Sequence, residues 1–128
     1  MTAREYKLMT APSEDVEQMH VMEWCRRNSG AYPELEYIYH IPNEGKRSKA
    51  AAAVQMRIGL KAGVPDLCLP AARQGFHGLY IELKSLKGRL SPKQRIWLDA
   101  LAEQGYKTVV CYGADEAIAA ISDYIKST

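Results

Sequence analysis

The chain has 128 residues, 47% of them hydrophobic and 25% charged, with a formal net charge of +2. That length suits one domain, spanning 1–128, around one core, and the composition is that of a folded globular protein rather than a disordered one. No apolar run approaches the roughly 18–20 residues that cross a membrane, the opening MTAREYKLMT lacks the apolar stretch of a signal peptide, and the charge is too small to imply a nucleic-acid partner by itself, so the expectation is a cytoplasmic protein.

In chain order, Pro12-Ser13 reads as a helix start with Ser13 as N-cap, and Asn28-Ser29-Gly30 stops that helix near Ser29. Residues 37–41 form a short strand candidate rich in aromatic and β-branched side chains, and 42–45 a loop. Ser48 can cap a second helix through the alanine run 50–53 to about Lys61, with Gly63 where a left-handed C-terminal cap would stand. Segments 66–69 and 78–83 read as strands joined by a loop containing Pro and Gly. Ser91-Pro92 opens a third long helix that ends near Gln104-Gly105. A strand over 107–111 follows, then a last helix over 114–125 with Ile118, Ile121 and Ile125 on one stripe. The order α-β-α-β-β-α-β-α predicts an α/β fold in which helices flank a mixed sheet.

Cys25, Cys68 and Cys111 lie far apart, no C-x-x-C pair occurs, and His20, His40 and His77 do not stand at zinc-finger spacing from them. Buried thiols in a reducing compartment are the expectation. Charge is unevenly spread. Lys84, Lys87, Arg89, Lys93 and Arg95 form one basic cluster, and Lys46, Arg47 and Lys49 another. Such runs are commonly no more than a solvated face, and they can also be the footprint of nucleic acid.

The charged groups in the strand segments raise a sharper question. Residues two apart in a strand share a face, so Leu79, Ile81 and Leu83 point one way, and Tyr80, Glu82 and Lys84 the other. One side reads as core, and the other presents a carboxylate beside an ammonium. Asp66 opens the preceding strand, just after Val64-Pro65, where proline holds the chain extended. If the two strands pair as a hairpin, Asp66 comes close to Glu82. Two carboxylates about 4 Å apart repel by roughly 4 kcal/mol at an effective dielectric near 20. A shared proton or Lys84 can offset that, and a divalent cation does so best. Carboxylates with open water positions suit Mg²⁺, which completes its octahedron with water and phosphate oxygens. The plainer reading is a half-buried Glu82–Lys84 pair with Asp66 as a turn residue at the strand edge.

Asp66, fifteen intervening residues, then Glu82-x-Lys84 resembles the PD-(D/E)xK nuclease signature, with Pro65 supplying its proline. The stretches GVPDLCL and GLYIELKSLKGRLSPKQ resemble, more narrowly, the virus-type replication–repair nuclease (VRR-NUC) domain in its compact stand-alone form. The resemblance runs from about Glu14 to Tyr124. It implies a restriction-endonuclease-like sheet, Mg²⁺ or Mn²⁺ dependence, and hydrolysis of DNA phosphodiesters by a homodimer acting on Holliday junctions. It implies that Asp66, Glu82 and the Leu83 backbone carbonyl hold the metal, and that Lys84 and Gln94 position the water. It also implies a glutamate on the first helix that serves a second metal or its water. Glu17 is preferred to Glu14, because at about 100° per residue it lies within about 40° of Val21 and Trp24, while Glu14 suits the helix dipole. Gln94 reads equally as the N3 member of a capping box with Ser91. The segment PNEGKRS echoes the family too, making Lys46 and Arg47, with Lys87 and Arg89, candidate phosphate contacts that position DNA without reading sequence. His40 and His77 receive no role. The alternatives are a flap, single-strand or restriction-type nuclease, and a non-catalytic nucleic-acid-binding module.

Overall fold

The computed structural model describes residues 1–9, 12–42 and 48–127. Five helices appear among them: α1 (Ala3–Met9), α2 (Glu14–Asn28), α3 (Lys49–Arg57), α4 (Pro92–Glu103) and α5 (Ala114–Lys126). They accompany four strands, β1 (Tyr39–His40), β2 (Leu67–Leu69), β3 (Leu79–Lys84) and β4 (Lys107–Tyr112), which lie side by side in chain order. β1, β2 and β3 are antiparallel neighbours, whereas β4 runs parallel to β3. The sheet is therefore mixed, as the element order predicts. The parallel pair needs a crossover, and α4 supplies it.

Serine hydroxyls start three of the helices. Ser13 accepts from Val16 N at 3.3 Å, Ser48 from Ala51 N at 3.2 Å and Ser91 from Gln94 N at 3.2 Å. Each satisfies an amide that the first helical turn leaves without a partner. α1 is an addition to the predicted order. Its cap is reciprocal, with Thr2 N donating to Glu5 and Glu5 N donating to the Thr2 hydroxyl, the pattern that Thr-x-x-Glu encodes.

Two boundaries differ from the sequence reading. Residues 33–37 form a short 3-10 helix that opens on Pro33, which leaves β1 only two residues long. α3 stops at Arg57, and Gly59, at φ +114°, takes the left-handed position expected of Gly63. Gly63 also has a positive φ, of +88°, for a different reason. A β-carbon there would sit 2.8 Å from the Lys93 carbonyl carbon, so the loop leading to β2 lies directly on the first turn of α4.

The main core fills one face of the sheet. Leu67, Leu69, Leu79, Ile81, Leu83 and Cys111 meet Val21 and Cys25 of α2 and Ala117, Ile121, Tyr124 and Ile125 of α5. The buried Tyr124 hydroxyl donates to the Ala71 carbonyl at 2.6 Å. All three cysteines are buried and unpaired, and burial pushes the thiols of Cys25 and Cys111 up to about 11. The second face holds Cys68, Tyr80, Glu82 and Lys84, since Cys68 stands opposite Tyr80 in the ladder. The sequence reads this face as the one that presents a carboxylate beside an ammonium, and Cys68, Glu82 and Lys84 are all buried on it. α4 packs on β4 with Leu98 buried apart from the main cluster, and β3 is itself buried on both faces save the half-buried Tyr80, as strands of a layered α/β sheet commonly are.

Gly63→Ala is expected to destabilise the fold by about 1–3 kcal/mol, because the new methyl meets backbone and the positive φ disfavours any L-side chain. Denaturant titration of the variant against the parent checks this.

Candidate active site

Asp66 stands immediately before β2, and the register that pairs Leu67 with Ile81 sets it across from Glu82. It is tied to both neighbouring strands. Its carboxylate Oδ2 accepts the Leu83 amide of β3 at 2.7 Å. Its carbonyl accepts the Ile41 amide at 2.8 Å and lies 3.0 Å from Nδ1 of His40 in β1. The side chain thus extends the β2–β3 ladder one step beyond the last backbone pair, with one carboxylate oxygen committed to that task.

Glu82 is 2% exposed. Its Oε1 lies 3.5 Å from the Lys84 ammonium, and its Oε2 is buried with no hydrogen-bond partner among the described residues. Lys84 Nζ is also 4.0 Å from Oε1 of Glu14, which enters from the first turn of α2. Two carboxylates therefore share one ammonium at ion-pair distance. Burial, then repulsion from Asp66, pushes the Glu82 carboxyl up to about 7, against the opposing pull of Lys84. Burial likewise raises Asp66, the Leu83 amide opposes it, and Glu14 adds repulsion that Lys84 and His40 offset. An unpaired buried acceptor is costly, and here it belongs to a group that the fold resists ionising.

Of the other residues singled out in the sequence, Glu17 is not with this cluster. Its Oε2 accepts the Ala114 amide at the start of α5, beside Gly113, whose φ of +92° turns the chain from β4 into that helix. Sharing the Val21 and Trp24 stripe does point Glu17 inward, but toward the α5 terminus. The Glu14 carboxylate, one turn earlier, is the one beside Lys84. Gln94 completes the capping box, with its Oε1 accepting Ser91 N at 2.8 Å. Lys87 and Arg89 are exposed on the loop after β3, where Gly88 packs closely on the Lys84 stem. Lys46 and Arg47 lie outside the described residues. His40, passed over in the sequence, does touch the site. Its partner is a backbone carbonyl 26 positions away, and no sequence signal announces such a contact.

Among the described residues, no three His, Cys, Asp or Glu side chains converge as a metal cage. The donors present are Asp66 and the unpartnered oxygen of Glu82. Two carboxylates with room for water and phosphate suit Mg²⁺ or Mn²⁺, whereas a closed structural site needs four ligands. Surface grooves of about 640 Å³ and 600 Å³ flank α2, and neither contains Asp66, Glu82 or Lys84. The acidic cluster is thus not the floor of either groove.

The family model of the VRR-NUC domain matches residues 9–115. A solved structure described as "VRR_NUC domain protein" is 38% identical, covers 91% of this chain and 91% of its own, and superposes with a TM-score of 0.78. Nothing among the curated proteins matches.

The raised Glu82 carboxyl fixes the sign of a pH effect. Its ordinary value is 4.5 and its folded value about 7, so the folded state holds the proton more tightly than the unfolded chain. Stability from this group is complete below about pH 4.5 and is lost as pH rises through 7. In chelator, Glu82→Gln should leave stability little changed at pH 4.5 relative to its gain at pH 8, where it removes a penalty of roughly 2–3 kcal/mol. Parallel denaturant titrations at the two pH values test this, and an equal difference at both would refute it.

Proposed function

This chain belongs to the VRR-NUC family, nucleases of the PD-(D/E)xK type that act on DNA, and we propose that it is a Mg²⁺- or Mn²⁺-dependent endonuclease that incises branched DNA, four-way junctions foremost. The observation that carries this reading is the buried Glu82 oxygen without a partner, set across a strand pair from Asp66 and beside the Lys84 ammonium. A carboxylate pair of that kind, one member buried and the other half-buried, is poorly explained by stability alone. It is well explained as half of an ion-binding site whose other half is water and DNA.

Asp66 and Glu82 hold the ion in this reading, with the Leu83 carbonyl as the third protein donor. A divalent ion in that position neutralises charge on the scissile phosphate and lowers the pKa of an attacking water. Lys84, held at the edge of the pair by Glu82 and Glu14, orients the nucleophile and stabilises negative charge that develops on phosphorus. Glu14, rather than Glu17, is the first-helix carboxylate suited to a second ion or its water. Gln94 serves α4 with its oxygen, and its amide nitrogen is the atom left for a phosphate or water. Lys87 and Arg89, and Lys46 and Arg47 from the basic segment, contact phosphates and so position the duplex without selecting its sequence. A homodimer places two such centres about a two-fold axis, which matches the paired nicks that a four-way junction requires.

The test compares cleavage of a four-way junction, a flap and a plain duplex with Mg²⁺ and with Mn²⁺. Junction nicking is expected to exceed duplex nicking, and Glu82→Ala and Lys84→Ala each to lower the rate at least about a hundredfold while DNA still binds in Ca²⁺. Glu14→Gln should reduce cleavage more than Glu17→Gln, whose main effect is a loss of about 1 kcal/mol at the α5 start. A protein that binds junctions and never cuts them with either metal is a binding module, and the proposal fails.

A further inference from the structure

We infer that His40 is a positioning residue for the acidic pair, acting through the backbone of Asp66. The inference rests on the metal-dependent reading above and adds to it a residue outside the motif. β2 is three residues long and β1 two, so few ladder bonds hold the point where Asp66 enters the sheet. The Asp66 carbonyl nonetheless receives two donors, one from β1 and one from the residue just after it. The Ile41 amide at 2.8 Å is the ladder bond. The His40 ring nitrogen Nδ1 at 3.0 Å is additional to it. A carbonyl only accepts, so Nδ1 carries the hydrogen and the ring tautomer is set by this contact.

What the second bond restrains is direction. A peptide carbonyl held by two donors cannot swing freely, and the Asp66 Cα–Cβ bond turns with it. At the far end of the same side chain, Oδ2 is tied to the Leu83 amide. Clamped at both ends, Asp66 has one oxygen, Oδ1, to offer toward Glu82. Ligands for small hard cations must be placed within tenths of an ångström, and groups that orient ligands are worth about ten- to a hundredfold in metal affinity. His40 is itself exposed, where water competes for its hydrogen bond, so its contribution to global stability is small. Its effect is local to the carboxylate.

The experiment measures Mn²⁺ binding to the full chain by calorimetry without DNA, alongside Mg²⁺ titrations of junction cleavage and thermal melts. His40→Ala is expected to weaken Mn²⁺ binding about tenfold and to raise the Mg²⁺ half-saturation similarly. Its cleavage rate at saturating metal and its melting temperature should stay near the parent's. His40→Asn, whose side-chain amide donates from a similar position, should recover most of the affinity. Parent-like Mn²⁺ affinity in His40→Ala overturns the inference and leaves the nuclease reading standing. So does a large fall in melting temperature that His40→Asn shares, which would make His40 a residue of the fold. Asn failing to recover affinity in a well-folded protein also counts against it. A parent chain that binds no Mn²⁺ removes the metal-dependent reading, and the inference with it.

Discussion

Asp66 and Glu82 face each other from neighbouring antiparallel strands, one partly and one almost wholly removed from water. Like charges so placed repel, and burial adds to the cost of ionising either. The surroundings read as responses to that constraint. Lys84 lies two residues along the same face, at the distance of an ion pair from Glu82. The Leu83 amide takes one oxygen of Asp66. These partners are not sufficient, because one Glu82 oxygen has none among the described residues and burial holds its carboxyl high. The divalent cation proposed above would supply charge and coordination together at such a site.

The topology is what makes the juxtaposition durable. A hairpin alone would be marginal in water, but β3 is also the strand to which β4 pairs in parallel. α2 and α5 cover one face with the main core, and α4 packs on the neighbouring β4. Glu82 and Lys84 are thus carried on the best-supported strand of the molecule, Glu14 approaches Lys84 from a helix end, and Lys87 and Arg89 stand exposed on the loop that follows. Rigid placement of the reacting groups and freer placement of the surface contacts is the division that catalysis on a large, variable substrate favours.

The sequence was most legible where chemistry is local. Serine caps at Ser13, Ser48 and Ser91 each act within three residues, and each helix begins where its cap stands. The nearness of Asp66 to Glu82 was legible only as a condition, that the two strands pair as a hairpin, because the nine-residue connection 70–78 does not set the register. Glu14 and Glu17 show the opposite case. Both lie on one side of α2, and their spacing along the helix does not say that one turn ends at Lys84 while the next meets the α5 start. Gln94 was ambiguous for the same reason, since a capping role and an inward stripe coexist in one pattern. His40 was silent, because a carbonyl acceptor has no side-chain identity to recognise.

By itself, then, the sequence determined the α/β class, the helix starts, the apolar side of β3 and the identity of the charged set at Asp66, Glu82 and Lys84. These depend on periodicity and on neighbours a few residues apart. Only the tertiary structure decided that the charged side of β3 is buried as well, that Glu14 rather than Glu17 joins the cluster, and that Asp66 is gripped from two strands at once. Those outcomes turn on how helices are laid across the sheet, and on hydrogen bonds to backbone atoms, which every residue carries and no sequence pattern distinguishes.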